Sequence, residues 1–253
     1  MFLPTTREEL NRLGWDQLDI ILVTGDSYID SPFIGVAVIG KALSHAGYRV
    51  GVIAQPDIRS DIDIRRLGEP GLFWGVSGGS VDSMIANYTS LKRRRKTDDY
   101  TPGGINNRRP DRAAIVYTNL IKRYFKNTRP IVLGGIEASL RRIAHYDFWS
   151  DRVRSSILLD AKADYLLYGM AEKAVLQLAN ALKDEIDVRN IRGLCYISSE
   201  RDSIQKRDDY LELPSYETVE KDNHSLIDMF HTFYQNNDPL TAKGLYQKHG
   251  TRY

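Results

Sequence analysis

The residues best suited to chemistry gather in short glycine-bearing segments: Gly25-Asp26-Ser27-Tyr28-Ile29-Asp30-Ser31, Ser77-Gly78-Gly79-Ser80 and Gly134-Gly135-Ile136-Glu137-Ala138-Ser139. Glycine lets a backbone approach a phosphate or take a positive φ, while Ser and Asp can hydrogen-bond a ribose or an amide. Such segments make a ligand site when each follows a parallel strand, because ligands of open α/β sheets sit beyond the carboxyl ends of the strands. None is a full G-x-G-x-x-G or Walker A sequence, so no nucleotide is specified, and the same glycines also suit tight strand-to-helix corners. Asp26, Asp30, Asp82 and Glu137 could converge there as an acidic cluster for acid-base work or a hard cation. Asp26 and Asp82 could equally be helix-start residues that favour the dipole.

Two other segments carry reactive side chains. Arg141 to Ser150 contains His145 and Asp147 among aromatics, a spacing that suits either an oriented acid or base or a buried imidazole satisfied by a neighbour. The run Lys92, Arg93, Arg94, Arg95 and Lys96, with Arg108, Arg109 and Arg112 beyond it and Tyr88 and Tyr100 on its flanks, could neutralise phosphates and stack bases of RNA, or form a solvated basic loop. Cys195 is the sole cysteine, which excludes an intrachain disulfide, a four-cysteine zinc site and a three-cysteine cluster supplied by this chain alone. The five histidines show no metal-binding spacing, so no metal site is expected.

The elements that must position these residues follow a βα rhythm. Thr6 and Glu9 form a capping box for a short helix that Gly14 stops. Apolar runs at Ile20 to Thr24, Arg49 to Ala54, Gly71 to Val76, Arg129 to Leu133, Asp164 to Gly169 and Gly193 to Ile197 read as buried strands. Helices are expected from Pro32 to Ala46, from Ser80 to Ser90, from Arg112 to Phe125, over Glu137 to Ala144 and over Glu172 to Leu182. Repeated βα units predict a mainly parallel, doubly wound α/β sheet with helices on both faces. Lys92 to Arg112 lacks apolar periodicity and reads as a long exposed loop. Residues 1–200 make the α/β domain, and 201–253 are expected to be a linker or extension with one amphipathic helix near Glu217 to Tyr234.

With 253 residues, 42% hydrophobic and 27% charged, the chain has globular composition, and its net charge of +2 singles out no partner. No apolar run approaches the roughly 20 residues that span a bilayer. Neither a membrane partner nor a secretory leader is read from the sequence, so a cytoplasmic location is expected.

Taken together, Thr24 to Gly35, Gly134 to Arg142 with His145 to Asp151, and Ala163 to Met170 resemble the N-terminal domain of the YgiQ-type radical SAM proteins, a family of unknown substrate. The resemblance implies a Rossmann-like domain akin to the cobalamin-binding fold. It also implies a barrel, absent here, that binds a [4Fe-4S] cluster through C-x-x-x-C-x-x-C and cleaves S-adenosylmethionine. The family brings no established catalytic residues to this domain. Cobalamin ligated by histidine is not expected, because the D-x-H-x-x-G loop has no counterpart in Gly25 to Asp30; cobalamin held without protein ligation stays open. The expectation is an accessory domain that packs on a barrel of the same or a partner chain and helps shape its substrate site. The alternatives are a stand-alone module for cobalamin or a nucleotide at the strand ends, or for RNA through residues 92–112, and a scaffold with no ligand.

Overall fold

The first strand, β1 (Ile20–Thr24), is buried along its whole length, because alternate residues feed two separate cores. Ile21 and Val23 point to one face of the sheet, Ile20 and Leu22 to the other. In a computed structural model, which describes residues 2–199, 209–238 and 240–253, the elements run in this order. They are α1 (Arg7–Leu13), β1, α2 (Gly35–His45), β2 (Val50–Ala54), α3 (Ile62–Arg65), β3 (Phe73–Ser77), α4 (Ser83–Asn87), α5 (Ala113–Tyr124) and β4 (Ile131–Gly134). Then come α6 (Gly135–Leu140), β5 (His145–Asp147), β6 (Arg152–Arg154), α7 (Ile157–Ala161), β7 (Tyr165–Leu167), α8 (Glu172–Lys183) and β8 (Leu194–Tyr196). The remaining elements are β9 (Tyr210–Leu213), α9 (Tyr216–Val219), α10 (Asn223–Gln235) and β10 (Gly244–Gln247).

The main sheet has the order β2-β1-β3-β4-β7-β8. It is parallel except at its edge, where β8 runs antiparallel to β7 with Tyr165 opposite Tyr196. Helices α3, α5 and α7 cover the face that holds Trp74, Tyr117 and Leu133; α2 and α8 pack together on the other face, over Phe73 and Val132. The architecture is therefore the doubly wound α/β one expected. Pairing of β1 with both β2 and β3 reverses the winding between β1 and β3, the switch point at which such sheets open a crevice.

Local signals hold where they are strong. Thr6 and Glu9 form the capping box, and Gly14 ends α1 at φ 68°. Elsewhere elements are shorter than expected. The helix after β3 begins at Ser83 with Asp82 as its cap, and α6 stops at Leu140 because the chain must turn into an antiparallel hairpin of β5 and β6. Residues 92–112 are not uniformly exposed: Asp98, Thr101, Asn106 and Arg109 are buried, held by side-chain hydrogen bonds that leave no apolar period in the sequence.

The boundary expected at residue 200 lies outside the described residues. From 209 onward the chain is folded, not an extended linker: β9 and β10 pair in parallel, and Leu213, Val219 and Met229 join Ala144 and Val153 of the hairpin region in a third small core. The single helix expected near Glu217 to Tyr234 is two, α9 and α10, broken where Asp222 caps α10 through the amides of His224 and Ser225. Arg142 ties this part to the sheet, its guanidinium lying 4.4 Å from the Tyr168 ring centroid and 4.6 Å from that of Phe233. Among the described residues no helix is long and apolar enough to cross a membrane.

Candidate functional site

Asp26, separated from the end of β1 by Gly25, sits in the switch-point crevice, 1% exposed. Its Oδ2 accepts the Ser80 N–H at 2.6 Å, and its Oδ1 accepts Arg109 Nη2 at 2.6 Å. Arg109 comes from the 92–112 segment and is itself 1% exposed. Its Nε donates to the Gly25 carbonyl at 3.0 Å, and its Nη2 lies 3.4 Å from Asp98 Oδ2. Gln55 and the Tyr100 carbonyl close the same corner, donating to Gly25 O and accepting Ser27 N–H. Burial raises the Asp26 carboxyl above its usual range, against the Ser80 amide and the Arg109 charge. The Arg109 guanidinium thus fills the inner side of this corner, while Asp26, Gly79 and Ser80 still border open space.

The glycines follow from that filling. A Cβ on Gly79, which sits at φ +115°, would lie 2.1 Å from Asp26 Oδ1, and one on Gly78 would lie 2.3 Å from Glu137 Oε2. The Gly78-Gly79 turn is therefore pinched between two buried carboxylates. Glu137, 2% exposed, projects from the first turn of α6 and accepts two amides, Ser83 N at 2.9 Å and Ala114 N at 3.0 Å. Those amides open α4 and α5, so Glu137 occupies the places at which these helix N-termini would hold an anion. Asp82 caps α4 and pairs with Arg141, while Asp30 turns away to Lys41 on α2 at 2.6 Å. Asp26, Asp82 and Glu137 do meet at one edge, each with its own partners. No group of three His, Cys, Asp or Glu able to hold a metal occurs among the described residues.

His145 and Asp147 lie on β5, both buried, but they do not form a pair. Asp147 binds Arg112 at 2.7 Å and the Ser150 hydroxyl; against the cost of burial, these partners hold its carboxyl well below the usual range. His145 sets Nδ1 3.1 Å from the Ile143 carbonyl and leaves Nε2 buried without a partner. Burial lowers its pKa to about 4, so the ring is neutral. The basic run is exposed over Lys92 to Lys96, yet much of it folds back. Lys92 covers the Phe148 ring at 4.7 Å, Arg94 lies 5.8 Å from the Tyr88 ring centroid, and Arg95 donates to the carbonyls of Ile85 and Tyr88.

The open space begins at this same edge, where Asp26, Gly79 and Ser80 border it. Between α2 and α8 a cleft of about 400 Å³ reaches down to the sheet, lined by Leu22, Phe73, Gly75 and Val132, with Thr24, Ser77, Gly134 and Gly135 at its polar end. At its bottom Leu22 packs directly over Gly75, where a Cβ would lie 2.6 Å from Leu22 Cδ2. In the sequence Arg109 reads only as part of the basic segment, and the cleft is not singled out. The one available signal was Gly75, a glycine inside a buried strand, which marks a close approach or a space kept free. A cavity of this size with apolar walls and few polar groups at the carboxyl edge has the character of a small-molecule site.

Comparison with known proteins agrees with the likeness read from the sequence. A family model described as Radical SAM N-terminal matches residues 2–253. A UPF0313 protein of Fusobacterium nucleatum is 56% identical over 253 residues, which is 100% of this chain and 44% of that protein. A UPF0313 protein of Thermotoga maritima is likewise 56% identical over 256 residues, again 44% of its length. The chain thus spans less than half the length of these relatives. Two structures of the radical S-adenosylmethionine methyltransferase TsrM from Kitasatospora setae superpose at 20% identity with TM-scores of 0.47 and 0.46, covering 72% and 73% of this chain and 29% and 28% of theirs. One holds tryptophan and a SAM analogue, the other cobalamin and a [4Fe-4S] cluster. With a family model matched from residue 2 to residue 253, the chain belongs to the Radical SAM N-terminal family.

Proposed function

We propose that this chain is the accessory α/β domain of a radical SAM enzyme, and that its carboxyl edge forms one wall of the substrate compartment while a second domain carries the cluster and S-adenosylmethionine. The observation that supports this reading is the match to the Radical SAM N-terminal family over residues 2–253 in a chain that spans 44% of its relatives. The residues present do not fit a cluster. Cys195 is the one cysteine, and burial in β8 pushes its thiol up to about 12, far from the thiolate a metal needs. No step of radical chemistry is therefore assigned to this chain. Its part is to present the apolar cleft and the polar loop ends that border it.

A second reading, a corrinoid held at the strand ends, is favoured by the cleft between α2 and α8, and with no histidine in residues 25–31 that segment would not ligate its cobalt. Corrinoid absorbance retained by the purified longer protein would support it. RNA binding through residues 92–112 has less behind it, because Lys92, Arg94 and Arg95 already have partners within the fold. The test of the main reading uses the longer protein, reconstituted anaerobically with iron and sulfide. Bound cluster and reductive cleavage of S-adenosylmethionine support it; no iron and no cleavage overturn it.

A further inference from the structure

The large apolar side chains left in solvent are distributed unevenly. The helix-to-strand loops at the amino edge of the sheet expose Ile186 alone among the described residues, whereas the segments after the strand carboxyl ends expose Phe33, Ile85, Leu91, Ile136, Leu140 and Met170. Met170 at 93% and Phe33 at 90% are the most exposed large hydrophobics among the described residues. Phe33 and Met170 lie in the loops after β1 and β7 and Ile136 in the first turn of α6 after β4, yet all line one cleft. They therefore form a contiguous rim. Apolar patches of this kind mark surfaces that are covered in the working molecule, and the chain accounts for 44% of the length of its relatives, which leaves ample protein to cover it.

We propose that the Phe33–Ile136–Met170 rim is the seat of the remainder of the longer chain, and that seating closes the cleft between α2 and α8 into a compartment shared by the two parts. The proposal rests on the accessory-domain reading above. It commits the carboxyl edge, and not the exposed surface of α10 or the amino edge, to the contact. The cleft is already framed on both sides by helices, so a cover over its mouth is what it lacks to exclude water, and ligand sites favour such boundaries between domains.

The test is hydroxyl-radical footprinting of the longer protein, read residue by residue by mass spectrometry. Labelling of Phe33 and Met170 is expected to be lost, while Phe2 and Leu240, 72% and 86% exposed away from the rim, stay labelled. Met170→Glu, a change at a side chain with almost no contacts in this fold, is expected to restore labelling at Phe33. Phe33 and Met170 labelled as fast as Phe2 and Leu240 would overturn the proposal, as would protection that disappears on dilution, which would make a second copy the occupant. The two readings fail separately. Cluster bound beneath an unprotected rim leaves the accessory role standing but removes the seat, and with it the carboxyl edge as a compartment wall; a protected rim in a protein that binds no iron leaves the seat and removes the radical SAM assignment.

Discussion

At the scale of single residues, Arg109 is the buried charge that ties the 92–112 segment to the end of β1. Its guanidinium is shared between Asp26 and Asp98, all three within a few per cent of complete burial. Removing one partner of such a group leaves uncompensated charge inside the protein. Arg109→Met is therefore expected to lower stability by about 3–5 kcal/mol in denaturant unfolding, and Asp26→Asn in the same chain to recover part of that loss. A loss well under 1 kcal/mol would mean that the crevice is wet and the plug loose. His145 makes a separate prediction. Its folded pKa, about 4, lies below the ordinary 6.5, so the unfolded chain binds the proton first. The stability it supports is full above the ordinary value and is lost as pH falls toward 4. Unfolding followed from pH 7 to about 4.5 should show a loss of roughly 2–3 kcal/mol that His145→Phe removes. An acid limb unchanged in that variant would show that the imidazole is solvated. Asp147, held low by Arg112 and Ser150 against its burial, loses its contribution in the same direction but at lower pH.

At the scale of elements, what was legible was what is local or periodic. The Thr6–Glu9 capping box and the apolar runs of β1 and β2 depend on neighbours in sequence and appear where expected. The hairpin of β5 and β6 was not legible, because each strand has three residues and its buried positions include His145 and Asp147. Residues 92–112 misled for a related reason: Asn106 reaches the carbonyls of Asn87 and Arg95, and Thr101 reaches Asp98. Burial achieved through polar side chains has no hydrophobic period to read. The glycine-rich loops were recognisable as corners but not as a pinch between carboxylates. That pinch predicts a ranking. Gly47→Ala, at φ +91° with nothing within 4 Å, meets backbone strain alone, about 1 kcal/mol. Gly79→Ala adds collision with the Asp26 carboxylate and is expected to cost clearly more, roughly 2–3 kcal/mol or above. Equal losses in thermal unfolding would contradict the packing described around Asp26.

At the scale of the whole molecule, the doubly wound sheet was readable because strand-length apolar runs alternate with helical segments, and that rhythm admits few topologies. The cleft was not, since α2 and α8 meet across more than 120 residues of sequence and nothing in either helix names the other. Nor was the small third core, which draws the hairpin region and residues 213–229 together. The molecule that results has a buried guanidinium at its switch point, an apolar cleft opening there and an apolar carboxyl rim, and the proposed function assigns its one cysteine, Cys195, no part in binding a cluster. The most direct test of that claim is iron and labile sulfide per chain, with S-adenosylmethionine cleavage, in the longer protein and in its Cys195→Ala variant. A cluster is expected in both, with equal content and equal cleavage. A cluster lost on replacing Cys195, with the variant still folded, or a longer protein that binds none, would contradict it.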